Sequence, residues 1–87
     1  MTTITDVLPA VLWETPVLRS RAERLERAGD HLWRVVAASG TIRGHLRVVA
    51  DPLGIRYRAE RLHLASGTFR LLGEFWDADD AVTALRG

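Results

Sequence analysis

From His31 onward apolar and polar residues trade places at period two, the spacing of strands rather than helices. Four such stretches follow one another: Leu32 to Ala37, Thr41 to Val49, Ile55 to Leu64, and Thr68 to Trp76. Ser39-Gly40, Asp51-Pro52-Leu53-Gly54 and Ser66-Gly67 separate them with turn chemistry, so each pair reads as an antiparallel hairpin. On the second stretch Ile42, Gly44, Leu46 and Val48 share one face, and Arg43, His45 and Arg47 take the other. The third sets Ile55, Tyr57 and Ala59 against Arg56, Arg58 and Glu60. The fourth sets Phe69, Leu71, Gly73 and Phe75 against Arg70, Leu72, Glu74 and Trp76. Gly44 and Gly73, inside strands, mark a close approach of the helix or a bulge. The string Ala-Ser-Gly-Thr at both Ala38 and Ala65 reflects the same turn used twice, without a duplicated unit.

After the fourth stretch the period changes. Asp77 stands at an N-cap position with Asp80 as its capping-box acid, and Ala78, Ala81, Val82 and Leu85 form the inward stripe of a helix. Asp77, Asp79 and Asp80 suit the positive end of its dipole, and Arg86 the other end. Before the sheet, Met1 to Thr15 is apolar but irregular, and either a short helix from Val7 to Trp13 or an extended arm on the core satisfies it. Thr15-Pro16 reads as the N-cap and first position of another helix, Pro16 to Ala28, stopped by Gly29 and striped by Leu18, Ala22 and Leu25. The expected fold is therefore α+β. One domain covers residues 1–87, with an N-terminal arm and helix over 1–29, a four-stranded antiparallel meander over 31–76, and a C-terminal helix over 77–86 packed on the sheet. Ile42, Leu46, Ile55, Tyr57, Ala59, Leu71, Phe75, Val82 and Leu85 are its expected core.

The 87 residues carry 47% hydrophobic and 26% charged positions, which is ordinary for a folded chain with one modest core. Twelve basic against eleven acidic residues leave a net charge of +1, so the molecule as a whole has no strong electrostatic pull on a partner. All twelve basic residues are arginine. The absence of cysteine excludes disulfides, thiolate chemistry and cysteine metal sites, and agrees with a cytoplasmic location. Asp6, Pro9 and Glu14 interrupt the first apolar stretch, which is unlike a signal peptide, and no membrane span is expected.

Charge is uneven along the chain. From Leu32 to Trp76 seven arginines face three acids. Period two places Arg43, His45, Arg47, Arg56 and Arg58 on one side of adjacent strands, with Arg70 as a possible addition. Like charges side by side on a sheet are mildly destabilising, so such a cluster is either diluted by acids or kept for an anionic partner such as DNA or RNA. The stretch from Thr41 to Leu85 resembles the three-stranded sheet plus helix of plant Apetala-type domains and of phage-type integrase arm-binding domains. Leu72-Gly73-Glu74-Phe75, Asp79-Asp80-Ala81-Val82, and Tyr57, Ala59 and Glu60 carry the likeness. It covers about half the chain and implies DNA binding through Arg43, His45, Arg47, Arg56 and Arg58. The chain departs from that pattern in an extra first strand and in its N-terminal structure. The same face also carries Leu62, Leu64, Leu72 and Trp76, an apolar patch that points instead to a protein partner or a homodimer.

Catalytic chemistry finds no foothold. His31, His45 and His63 lack the spacing of a zinc site, the three aspartates serve a helix start, and the serines Ser20, Ser39 and Ser66 sit outside any nucleophile context. The chain is read as a non-enzymatic binding module without cofactor or metal.

Overall fold

The computed structural model describes residues 14–87. The chain forms five strands, β1 (Glu23–Gly29), β2 (Leu32–Ala37), β3 (Ile42–Asp51), β4 (Gly54–His63) and β5 (Thr68–Phe75), and then a helix, α1 (Ala78–Ala84). All strand pairs are antiparallel and the order in the sheet is the order in the chain. The short turns allow this, because each strand can only fold back on the one before it.

The expected N-terminal helix and four-stranded meander are thus corrected to a five-stranded sheet with one helix, C-terminal, among the described residues. Pro16–Ala28 does not form a helix: residues 14–22 are irregular and Glu23–Gly29 is a strand. Its helical stripe was thin, and pairing with β2 outweighs it. Glu23, Leu25 and Arg27 lie opposite Ala37, Val35 and Trp33, so Leu25 joins the core and the Arg27 guanidinium stacks 4.8 Å from the Trp33 ring. Tertiary context of this kind commonly overrides weak local preference. The alternatives for Val7 to Trp13 lie outside the described residues.

The core lies between the sheet and α1. Val35, Leu46, Ala59, Ala78, Ala81, Val82 and Leu85 are buried together, with Leu18, Leu25, Tyr57 and Phe75 packed around them, and Trp33 is fully buried on β2. Of the expected core, Ile42 and Leu71 are instead exposed. Two bulges explain this. Val35 pairs with Gly44 but Val36 with Ile42, and Ala59 pairs with Gly73 but Glu60 with Leu71. An extra residue, Arg43 in one case and Leu72 in the other, shifts the phase of everything beyond it.

Asp77 caps α1 by accepting from the Asp79 amide at 2.8 Å. The Asp79 carboxylate in turn accepts from the backbone amides of Arg19 (3.0 Å) and Ser20 (3.1 Å), which fastens the irregular segment to the start of the helix. At the far end Leu85 seats against Gly44. A Cβ on Gly44 would stand 2.6 Å from Leu85 Cδ2 and 2.9 Å from the Glu60 carbonyl oxygen, so only glycine admits the helix here.

Leu85→Ala should cost about 2–5 kcal/mol by opening a cavity, and Gly44→Ala about 1–3 kcal/mol by overpacking the same seat. Urea unfolding measures both. Losses under about 0.5 kcal/mol at each position, the range of inconsequential surface changes, would show that the helix does not depend on this contact.

Candidate interaction surface

One face of the sheet carries α1 and the other has no layer over it among the described residues. The register assigns side chains to this open face: His45 opposite Glu60, Arg47 opposite Arg58, Val49 opposite Arg56, Arg58 opposite Glu74, Glu60 opposite Leu71 and Leu62 opposite Phe69. Of the expected basic cluster, His45, Arg47, Arg56 and Arg58 therefore share a face. The β3 bulge turns Arg43 to the other side, where its Nε lies 3.0 Å from Glu23 Oε2. The β5 bulge likewise sends Arg70 opposite Arg61, on the helix side, and brings Phe69 and Leu71 to the open face.

The remaining arginines form a neutral chain. Arg47 Nε lies 3.0 and 3.1 Å from the two oxygens of Glu60, whose side chain is almost wholly buried. Arg58 Nε sits 3.7 Å from Glu60 and 3.3 Å from Glu74. Arg56 approaches Glu74 at 3.4 Å and Asp51 at 3.5 Å. Three guanidinium groups thus alternate with three carboxylates, and the like pair Arg47–Arg58 is bridged by Glu60. Aromatic rings close both ends. The Arg47 guanidinium stacks 5.3 Å from the centre of Phe69 and that of Arg56 4.1 Å from Trp76. His45 meets Phe69 edge to face with centroids 5.0 Å apart.

Beyond Phe69 the surface is apolar. Ile42, Leu62, Leu64, Phe69, Leu71 and Leu72 are all exposed, Leu64 to 85%. Of the expected apolar patch, Leu62 and Leu64 belong to this end, and Leu72 is the bulged residue of edge strand β5. Trp76 lies apart, at the opposite end of the charge chain, where a Cβ on Gly54 would stand 3.6 Å from its ring. Phe69, Leu71 and Ile42 were missed because strict alternation turned them inward. The signal that could have found them was the glycine beside each bulge.

The other expected candidates serve local structure. His63 lies on the opposite side of β4 from the face that holds His45, and its Nδ1 is 2.8 Å from the Ser66 hydroxyl. No group of three or more His, Asp or Glu among the described residues is placed to hold a metal ion. No helix among them is long and apolar enough to cross a membrane.

Of the three buried ionisable groups among the described residues, Glu23 lies on the edge strand β1 and His45 on the central strand β3. Glu23 accepts from Arg86 Nη2 at 2.7 Å and Nε at 3.0 Å, and this pairing holds its carboxyl below the ordinary 4.5 against the opposing pull of burial, with Arg43 adding to the effect. His45 is pushed below its ordinary 6.5, first by burial and then by Arg34 and Arg47, with Glu60 opposing. Its Nδ1 is buried and finds no hydrogen-bond partner among the described residues.

Both shifts make the fold acid-sensitive. A depressed folded-state value means that the unfolded chain binds the proton first, so stability is in place above the ordinary value and is lost as pH falls through the folded one. His45 should begin the loss below about 6.5 and Glu23 should deepen it below about 4.5. Urea midpoints across this range should decline in these two limbs, the first flattened by His45→Gln and the second reduced by Glu23→Gln. A His45→Gln profile that superimposes on the parent would refute the assignment.

No protein-family model matches the chain, and neither a curated protein nor a solved structure matches it, so what this surface does is inferred from its own geometry.

Proposed function

We propose that this chain is a non-enzymatic protein-interaction module that meets its partner through the apolar end of the open sheet face. The observation that carries this is a division of labour on one surface. Ile42, Leu62, Leu64, Phe69 and Leu71 stand together in solvent, whereas the arginines beside them are matched by Glu60, Glu74 and Asp51. Contiguous exposed apolar side chains rimmed by polar groups are the mark of a protein interface. A phosphate backbone would have to displace carboxylates already in place, and the net charge of +1 offers little long-range attraction. Aromatic residues and arginines side by side are also the side chains most enriched at the anchoring points of interfaces.

A photo-crosslinking residue at position 64 should give a discrete adduct with a protein in cells, either another chain or a second copy. Phe69→Asp with Leu71→Asp should abolish that adduct while the fold is retained, at a cost of about 1–2 kcal/mol from the lost Phe69 contacts with His45 and Arg47. The same crosslinker at Leu53, at the far end of the molecule, should give none. Equal adducts at both positions would overturn the proposal. So would duplex DNA binding whose affinity falls with salt at a log–log slope of about −0.9 per phosphate contacted.

A further inference from the structure

β3 and β4 pair from Asp51–Gly54 to His45–Glu60, and there the ladder stops. The strands themselves continue. β3 begins at Ile42, and Ile42 and Gly44 pair outward with β2. β4 runs to His63, and Arg61, Leu62 and His63 pair outward with β5. Neighbouring strands therefore part in the middle of the sheet, each held from behind by its other neighbour. Between them lies a groove of about 400 Å³ lined by Ile42, Arg43, Gly44, Arg61, Leu62 and Leu64, with His45 at its closed end.

This groove differs from the surrounding surface in two respects. The inward edges of Ile42 and Arg43 on one side and of Arg61, Leu62 and His63 on the other have no partner strand, Gly44 between them and the ladder being buried under Leu85, and backbone edges of that kind are what an added strand pairs with. Arg61 and its cross-strand neighbour Arg70 also lack a partner carboxylate side chain among the described residues, whereas Arg43 has Glu23. Arg47, Arg56 and Arg58 each have a carboxylate, whereas Arg61 donates only to main-chain oxygens, those of Leu85 at 3.0 Å and Gly87 at 2.9 Å. No Asp or Glu side chain among the described residues pairs with it. Ile42, Leu62 and Leu64 supply apolar walls.

Building on the interaction reading, we propose that the split between β3 and β4 is where the partner is gripped. The occupant is a short extended segment of the partner protein that alternates apolar residues with aspartate or glutamate. Its backbone hydrogen-bonds to the open strand edges, its apolar side chains rest on Ile42, Leu62 and Leu64, and a carboxylate pairs with Arg61. The volume suits a few residues and not a folded element, since pockets for small ligands span about 300–1,000 Å³.

The test is a titration of the full chain, followed by amide nitrogen–proton NMR, with the blocked peptide acetyl-Val-Glu-Val-Glu-Val-amide and its lysine counterpart. Saturable shifts are expected at the amides of Ile42–Gly44 and Arg61–His63, with the lysine peptide weaker by about tenfold, the loss of one charge-assisted contact. Arg61→Gln should remove that preference. Because Arg61 also holds the chain end, Leu64→Ser, in the exposed turn after β4, provides a second variant that should weaken both peptides while the fold is retained. Absence of shifts up to about millimolar peptide, or shifts confined to Phe69 and Leu71, would overturn the groove proposal. Concentration-dependent shifts at the groove without peptide would overturn it in favour of a second copy as occupant. A Leu64 adduct that persists in any of these cases leaves the interaction module standing and the groove alone refuted.

Discussion

Leu85 pressed against the bare backbone of Gly44 is the contact from which the rest of the molecule takes its arrangement. It sets the helix down where β3 and β4 are about to diverge, and it leaves Arg61 within reach of the helix end. A helix of seven residues is only about 10 Å long, whereas five strands span about 19 Å between their outer members. So small a lid, packed over β3, β4 and β5, cannot shelter the whole sheet. Beside it the irregular segment covers part of the remainder, with Trp33 donating to Thr15 Oγ1 at 3.1 Å and Leu18 entering the core. Glu23 and Arg86 then join the first strand to the last turn of the chain.

The same shortage explains the open face. With none of the described residues laid over it, that face is dressed by its own longest side chains, and arginine stems do what a second layer of apolar residues would do elsewhere. Their charges would be a burden if left alone. Interleaving them with glutamates on neighbouring strands turns a repulsive row into an attractive one and buries Glu60 and His45 beneath it. Arg47, Arg56 and Arg58 are neutralised in this way by their own neighbours, and the apolar end beyond Phe69 stays exposed.

Much of this is legible in the sequence alone. The four strands from Leu32 to Phe75, their turns, and the capped helix after Asp77 follow from period and punctuation. β1 was hidden because it is an edge strand whose single large apolar residue, Leu25, shows no alternation, while its charges imitate the wet side of a helix. Edge strands carry such charges to discourage mispairing, so the disguise has a physical origin. The face assignments were half right for a related reason. Alternation is reliable only until a bulge, and one extra residue at Arg43 and another at Leu72 exchanged inside for outside beyond them. Gly44 and Gly73 had already marked both places. Ion pairing was not legible at all, since which carboxylate meets which guanidinium depends on register.

A sheet whose spatial order is its chain order has a consequence for how the molecule is made. Each strand finds its partner a turn away, so hairpins can zip one onto the next without closing a large loop, a topology associated with fast folding. The exceptions are few and sit at the ends. Asp79 with Arg19 and Ser20, and Glu23 with Arg86, join residues some sixty positions apart. Those bonds cannot form until the meander and the helix have already brought the ends together. They act as the clasp of the fold, holding the segment before β1 and the first strand itself against the start of the helix and the last turn of the chain.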